Sequence, residues 1–244
     1  MNVLIIGYGI VGHNLYKDLA QLNPDIYDKY KVDCNTKRNI KYDIAFICVD
    51  TPLQDNYVLD IKAVYDALIE NDSEVYVIKS TCPIGTVDYF KQLTGKRIIF
   101  SPEYYGATQH CNNFIFNYTI LGGDKEDCVE VIQVLQKCYD GRHQFRITDS
   151  KTAELVKFME NSFLATKVSF CNQFYDIANK YNILYEELRE LFLLDPRVNP
   201  SHTFVYKDKP YWDSHCLNKD VPYIAYSENA TLLKAICEFN NRRK

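Results

Sequence analysis

Hydrophobic positions along the first 150 residues fall into short blocks of two kinds. Val3-Leu4-Ile5-Ile6 is a continuous apolar run, the pattern of a strand covered on both faces. It meets Gly7-Tyr8-Gly9-Ile10-Val11-Gly12, after which Leu15, Leu19 and Leu22 recur at helical spacing. Further strands are expected at residues 25–28, 43–49, 75–78, 97–100 and 118–121, with a last one near Phe145. Between them, Ile61, Val64, Tyr65 and Leu68 mark the inner face of one helix, and residues 124–138 another. Strands alternating with helices in this way predict a doubly wound, mostly parallel sheet. After Asp149 the pattern changes. Residues 150–180 contain no Gly or Pro and read as one long helix, with a second helix over 185–194. An irregular aromatic stretch reaches His215, and residues 220–241 are mostly helical again, with Pro222 placed in a first turn. The expected organisation is an α/β domain over 1–149 followed by a helical domain over 150–244.

Composition removes several classes. Of 244 residues, 47% are hydrophobic and 25% charged, which excludes wholesale disorder. The net charge is 28 − 32 = −4, so a nucleic-acid surface is not expected. No apolar run approaches the ~20 residues of a membrane span, and no basic leader precedes the first strand. Nine cysteines, an odd number without a Cys-x-x-Cys pair, argue against a disulfide framework and for a reducing, cytoplasmic compartment. His202, His215 and Cys216 share one loop, but their spacing fits no standard zinc pattern, so no metal is expected.

Three of only nine glycines lie between positions 7 and 12. Gly-x-Gly-x-x-Gly after a strand and opening a helix is the dinucleotide-binding context. Gly7 makes the tight turn, Gly9 lets backbone approach a pyrophosphate, and Gly12 lets helix and strand pack closely. The helix N-terminus offers N–H groups to the phosphates. Asp28, twenty-one residues after Gly7, is placed to accept hydrogen bonds from a ribose 2′-hydroxyl. A carboxylate there repels a 2′-phosphate, which favours NAD over NADP, and Lys29 beside it weakens that preference slightly.

Other residues are open to two readings. Lys157 and Asn161 stand i, i+4 on the long helix and share a face. With Lys151 and Glu154 nearby, an ordinary charged surface is the commoner explanation of such a pair. Cys216 lies in the polar stretch Trp212-Asp213-Ser214-His215-Cys216-Leu217-Asn218-Lys219-Asp220, expected to be a loop just ahead of a helix. A helix N-terminus and Lys219 would both favour its thiolate, the reactive form. Local sequence fits an inert thiol equally well.

Taken in chain order, the motifs resemble the UDP-glucose/GDP-mannose dehydrogenase family. Phe46-Ile47-Cys48-Val49-Asp50-Thr51-Pro52 is similar to its fourth-strand signature, and Lys79-Ser80-Thr81-Cys82-Pro83-Ile84-Gly85-Thr86 to its Lys-Ser-Thr-x-Pro-x-Gly-Thr turn. Ser101-Pro102-Glu103-Tyr104 resembles its Ser/Asn-Pro-Glu-Phe, and residues 153–167 its long central helix. Asp195-Pro196-Arg197 matches an Asp-x-Arg, and Cys216-Leu217-Asn218-Lys219-Asp220 a Cys-Phe/Leu-Pro-Lys-Asp. The resemblance implies a Rossmann-like NAD-binding domain followed by a central, dimer-forming helical domain. It also implies a four-electron oxidation of a sugar C6 alcohol to a carboxylate, through an aldehyde trapped on a cysteine. On that reading Cys216 is the nucleophile, and Lys157 and Asn161 stabilise charge on the substrate oxygen. Asp220 acts with a water as base, Glu103 orders the site, and Thr81 lies near nicotinamide. The cofactor set is Gly7, Tyr8, Gly9, Ile10, Val11, Gly12, Asp28, Thr51, Thr81 and Lys219. The substrate set is Glu103, Tyr104, Lys157, Asn161 and Arg197, the arginine reaching substrate phosphate across a homodimer interface.

The sequence departs from the family pattern in places. It stops at Lys244, where the family continues into a second Rossmann-like domain, so a short form is expected. Tyr211-Trp212-Asp213-Ser214-His215 replaces a glycine-rich loop, which is expected to put bulky side chains where backbone would approach the sugar. Ala107 stands where a second glutamate is usual, and Asn218 replaces a proline. Two alternatives stay open: a two-electron dehydrogenase of the 3-hydroxyacid or 6-phosphogluconate type, which shares the Lys-x-x-x-Asn pair, and an inactive NAD-binding partner protein.

Overall fold

In the computed structural model, which describes residues 1–105 and 116–244, each apolar run of the first 150 residues is a strand. The strands are β1 (Val3–Ile6), β2 (Asp25–Tyr27), β3 (Tyr42–Ile47), β4 (Ser73–Ile78), β5 (Arg97–Phe100), β6 (Tyr118–Gly122) and β7 (Gln144–Thr148). They form one sheet in the order β2-β1-β3-β4-β5-β6-β7, parallel throughout except for the β5–β6 pair. Helices α1 (Ile10–Asp18), α2 (Lys62–Glu70), α3 (Thr86–Thr94) and α4 (Lys125–Leu135) follow β1, β3, β4 and β6.

Period-two alternation sorts the strand residues between two faces. Leu4, Ile6, Ala45, Ile47, Tyr76 and Ile78 pack against Val64 and Leu68 of α2 and Val87 and Phe90 of α3. Val3, Ile5, Ile44, Phe46, Val75 and Val77 pack against Leu15 of α1 and Cys128 and Val131 of α4. Helices thus cover both faces, which is why the central strands read as unbroken apolar runs. Wholly buried side chains such as Ile5 or Phe46 each contribute about 1.5–3 kcal/mol of transfer free energy. The two tyrosine hydroxyls of this core are both bonded: that of Tyr76 donates to the Asn71 carbonyl at 2.6 Å and that of Tyr42 to Asp25 Oδ2 at 2.8 Å.

The chain winds from β1 to β2 on one side and to β3 on the other, so the direction reverses at the carboxyl ends of β1 and β3. In open α/β sheets that crevice is where ligands sit. Gly7 stands in it: a Cβ there would lie 2.7 Å from the Cys48 carbonyl oxygen just past β3.

Two compact units result, residues 1–52 with 59–157, and residues 53–58 with 158–244. The first eight residues of α5 (Ser150–Lys180) therefore belong to the first unit and the rest to the second. At 31 residues α5 is about 46 Å long. The second unit adds α6 (Tyr185–Phe192), α7 (His215–Ser227) and α8 (Thr231–Asn241), around a core of Ala165, Trp212, Leu217, Val221, Ala225 and Cys237.

One sequence expectation is corrected here. Helix α7 begins at His215, not at Asp220, because Ser214 caps it by accepting from the Leu217 N–H at 3.2 Å. Pro222 consequently lies inside the helix rather than in a first turn, and removes one helical N–H there. Residues 220–241 are mostly helical, as expected, in the latter part of α7 and in α8. Asn229 adopts a left-handed φ of 53°, and the Ala230 N–H bonds back to the Ala225 carbonyl at 2.9 Å, closing α7 before α8. Among the described residues, no helix is long and apolar enough to cross a membrane.

Candidate active site

The glycine turn of the first unit is built by steric necessity. Gly7 has φ +90°, and a Cβ on Gly12 would lie 1.9 Å from the Gly7 carbonyl oxygen, so neither tolerates a side chain. Around Gly9, by contrast, nothing lies within 4 Å of a built Cβ. Gly9 caps α1, whose first turn carries no acidic residue, Ile10 there is half exposed, and Val11 packs against the core. Open space before uncapped N–H groups at a helix N-terminus is the arrangement a pyrophosphate requires, and these residues fit a dinucleotide.

Asp28 pins this turn. Its Oδ2 accepts from the Tyr8 N–H at 2.7 Å, and its Oδ1 from the Tyr30 and Lys31 N–H groups at 2.8 and 2.9 Å. Burial pushes the carboxyl up, but these three donors outweigh it and hold Asp28 below the usual carboxylate range. The Lys31 ammonium donates to the Tyr8 carbonyl at 2.7 Å, so both polar groups of the Tyr8 backbone are held. Three of the carboxylate's roughly four acceptor positions are thus taken, leaving about one for a ribose hydroxyl. Beyond β3 and β4, the buried Thr51 hydroxyl donates to the Thr81 carbonyl at 2.7 Å and ties those two loops together.

At the carboxyl end of β5, the Lys79 ammonium lies 3.1 Å from Glu103 Oε2, with both side chains largely buried. Glu103 Oε1 accepts from the Tyr104 N–H at 2.7 Å. The Tyr104 ring lies 5.1 Å from the Lys157 ammonium, within cation–π range. One turn back on α5, Glu154 is fully buried and accepts from the Gly85 and Val87 N–H groups at 2.5 and 3.0 Å, at the N-terminus of α3. Burial raises its pKa to about 7 against the pull of those donors.

In the second unit, the Asn161 amide donates to Asp220 Oδ2 at 2.6 Å, and the Lys219 ammonium donates to Oδ1 at 2.6 Å. A carboxylate only accepts, so Asp220 fixes which way the Asn161 amide faces. Cys216, four residues before Asp220 on α7, shares its helix face and is exposed. The other cysteines differ: of the eight in the described residues five are buried, and burial pushes the Cys48 thiol up to about 12 and Cys128 and Cys237 to about 11. Arg197 stands on the exposed loop after α6 with its guanidinium on the Asp195 carboxylate, the shortest contact 2.6 Å.

The structure changes three sequence readings. Lys157 and Asn161 are 7% and 4% exposed, so their face is not a solvated charged surface. Cys216 lies inside the first turn of α7 rather than in a loop ahead of it. Trp212, expected to crowd the sugar, is instead in the core of the second unit, where its indole N–H donates to Ser169 Oγ at 3.1 Å. Its backbone N–H donates to the Asn240 side chain, which donates back to the Trp212 carbonyl. Ala107 lies outside the described residues. Sequence reasoning did not single out Lys79, Glu154 or Lys31. A signal for Glu154 existed, because it stands four and seven residues before Phe158 and Asn161 and so shares their helix face.

Residues 19–140 match the NAD binding domain of the UDP-glucose/GDP-mannose dehydrogenase family, and residues 151–242 match its central domain. An uncharacterized protein of Methanocaldococcus jannaschii is 31% identical over 247 residues, covering 81% of this chain and 28% of that protein. The UDP-N-acetyl-D-mannosamine dehydrogenase of the same organism is 29% identical over 239 residues, covering 92% of this chain and 54% of the relative. The chain thus spans between about a quarter and about half the length of these curated relatives. Among solved structures, a UDP-glucose dehydrogenase from Pyrobaculum islandicum superposes with a TM-score of 0.82 at 20% identity, over 99% of this chain and 68% of that one.

Proposed function

The chain belongs to the UDP-glucose/GDP-mannose dehydrogenase family, and from that premise we propose that it oxidises the C6 alcohol of a nucleotide sugar such as UDP-glucose to the carboxylate, with NAD as oxidant. The observation that carries this reading is the pairing on α7 of an exposed thiol, Cys216, with a buried carboxylate, Asp220, that is itself bonded to Asn161. NAD, when bound, supplies a hydride acceptor.

Each residue then has a part. Water bridging to Asp220 takes the C6 hydroxyl proton as a hydride leaves C6, giving the aldehyde. Lys157 and the second N–H of the Asn161 amide hold the oxygen while it carries negative charge. Cys216 Sγ adds to the aldehyde carbon: the S–C bond forms, and the carbonyl π pair goes to oxygen. Loss of a second hydride from that carbon leaves a thioester. Water adds, the C–S bond breaks with its electron pair returning to sulfur, and the carboxylate departs. The balance is R–CH2OH + 2 NAD⁺ + H2O → R–COO⁻ + 2 NADH + 3 H⁺. Placement of Cys216 in the first turn of a helix supports its thiolate form.

The proposed assembly is a homodimer through α5. Met159, Phe163, Phe170, Phe174 and Ile177 form one exposed apolar stripe along that helix, spaced by four, seven, four and three residues. Counting NADH against UDP-glucose or UDP-N-acetylmannosamine consumed tests the reaction. Two per sugar is expected. One per sugar would leave a two-electron dehydrogenase in its place.

A further inference from the structure

The charged cluster beneath residues 101–105 includes groups that the proposed reaction does not use. Lys79, just past the end of β4, has its side chain 8% exposed, and Glu103 13%. Taking such a pair out of water costs several kcal/mol per ion, which only close geometry and further hydrogen bonds offset. Here both Glu103 oxygens are engaged, Oε2 by Lys79 and Oε1 by the Tyr104 N–H at 2.7 Å. Lys79 also donates to Ser101 Oγ at 3.3 Å. A second acid, Asp18 at the last residue of α1, accepts from the Tyr105 hydroxyl and from the Tyr139 hydroxyl at 3.3 Å. Its pKa is raised by burial and by the nearby Glu103 charge, and lowered by Tyr139 and by Lys79. Lys79 is therefore the cation set against both carboxyls.

The consequence runs outward through one peptide. With Glu103 anchored, the Tyr104 backbone is fixed, and its ring is wedged against Phe116 and Tyr118 with centroids 5.6 and 5.3 Å away. That ring faces the Lys157 ammonium at 5.1 Å. Without Lys79, Glu103 would be a buried unpaired charge, and turning toward water or taking a proton would weaken its hold on the Tyr104 N–H.

We propose that Lys79 is a positioning residue for Lys157: by holding Glu103 it fixes the Tyr104 peptide, and with it the ring on which the Lys157 ammonium rests. Its catalytic consequence rests on the reading of Lys157 as the group facing the substrate oxygen. The physical claim does not.

The test labels lysines with carbon-13 at the ε position in the full chain. The Lys157 signal is the one lost in Lys157→Arg, and its displacement by the aromatic ring is the shift it undergoes in Tyr104→Leu. Lys79→Met is expected to move that signal at least about halfway to its Tyr104→Leu position, and Lys79→Arg to leave it in place. If Lys79→Met does not fold, the double variant Lys79→Met/Glu103→Leu removes both charges and is expected to move the signal in the same way. A Lys157 signal unmoved in the folded variant overturns the proposal. With NAD and UDP-glucose, Lys79→Met should lower kcat by about tenfold or more, with Lys79→Arg recovering most of it. NAD affinity by calorimetry should stay within about twofold. Loss of NAD affinity in parallel with kcat would overturn the positioning role. A wild-type chain that turns over no nucleotide sugar would defeat the proposed reaction, while the Lys157 signal would still decide this inference.

Discussion

Glu154 offers a sharp energetic test, because two opposing effects meet on one carboxyl. Burial disfavours its charge, while two backbone N–H groups and the N-terminus of α3 favour it. With burial dominant its pKa is about 7 in the folded chain, against 4.5 for the unexceptional group. The folded state then binds a proton that the unfolded state has released. Stability from this group is fully present below the unfolded pKa and is lost as pH rises through the folded one. Linkage across pH 5 to pH 8 gives a loss of about 2.5 kcal/mol, steepest near pH 6. Glu154→Gln keeps the shape and cannot ionise, so its fixed cost from altered hydrogen bonding is independent of pH. Urea unfolding of both proteins at four pH values isolates the titrating part. The variant should gain on the parent by about 2.5 kcal/mol between pH 5 and pH 8. A difference that is flat with pH, or a parent that gains as pH rises, would refute the reasoning and show that the helix N-terminus outweighs burial.

Three other outcomes are expected. Gly12→Ala forces a Cβ to 1.9 Å from the Gly7 carbonyl oxygen, so NAD binding by calorimetry should weaken at least about a hundredfold, or the first unit should unfold outright. Asp220→Leu leaves Lys219 buried without this carboxylate and should cost about 3–5 kcal/mol in denaturant unfolding, whereas the double variant Asp220→Leu/Lys219→Met should recover much of that. Phe163→Glu with Phe170→Glu places charge in the α5 stripe and should turn the proposed dimer into a monomer in sedimentation velocity; an unchanged sedimentation coefficient would remove α5 as the interface.

How far the sequence anticipated this molecule depends on what each residue's neighbours in the chain reveal. β1, β3, β4 and β5 were legible because a strand covered on both faces has to be apolar at every position. The glycine turn was legible because its constraints are local. The strand order was not, since nothing within residues 28–41 shows that β3 pairs with β1. The start of α7 was misplaced because Pro222 looked like a first-turn proline, while the cap that decides the matter is a single serine. Lys157 and Asn161 looked solvated because charge at i, i+4 usually is; their burial depends on partners far away in sequence. Trp212 misled for a related reason. Its place was judged from the loop it replaces, but a large apolar ring with one N–H goes wherever it can be buried and bonded, here beside Ser169.

The central claim is that Cys216 carries the substrate covalently. Acid quenching during turnover of UDP-glucose with NAD, followed by intact-protein and peptide mass measurement, tests it most directly. An acyl adduct on the Cys216 peptide, absent from Cys216→Ala, is the result this account predicts. Undiminished carboxylate production by Cys216→Ala, with no adduct on the parent protein, would contradict it.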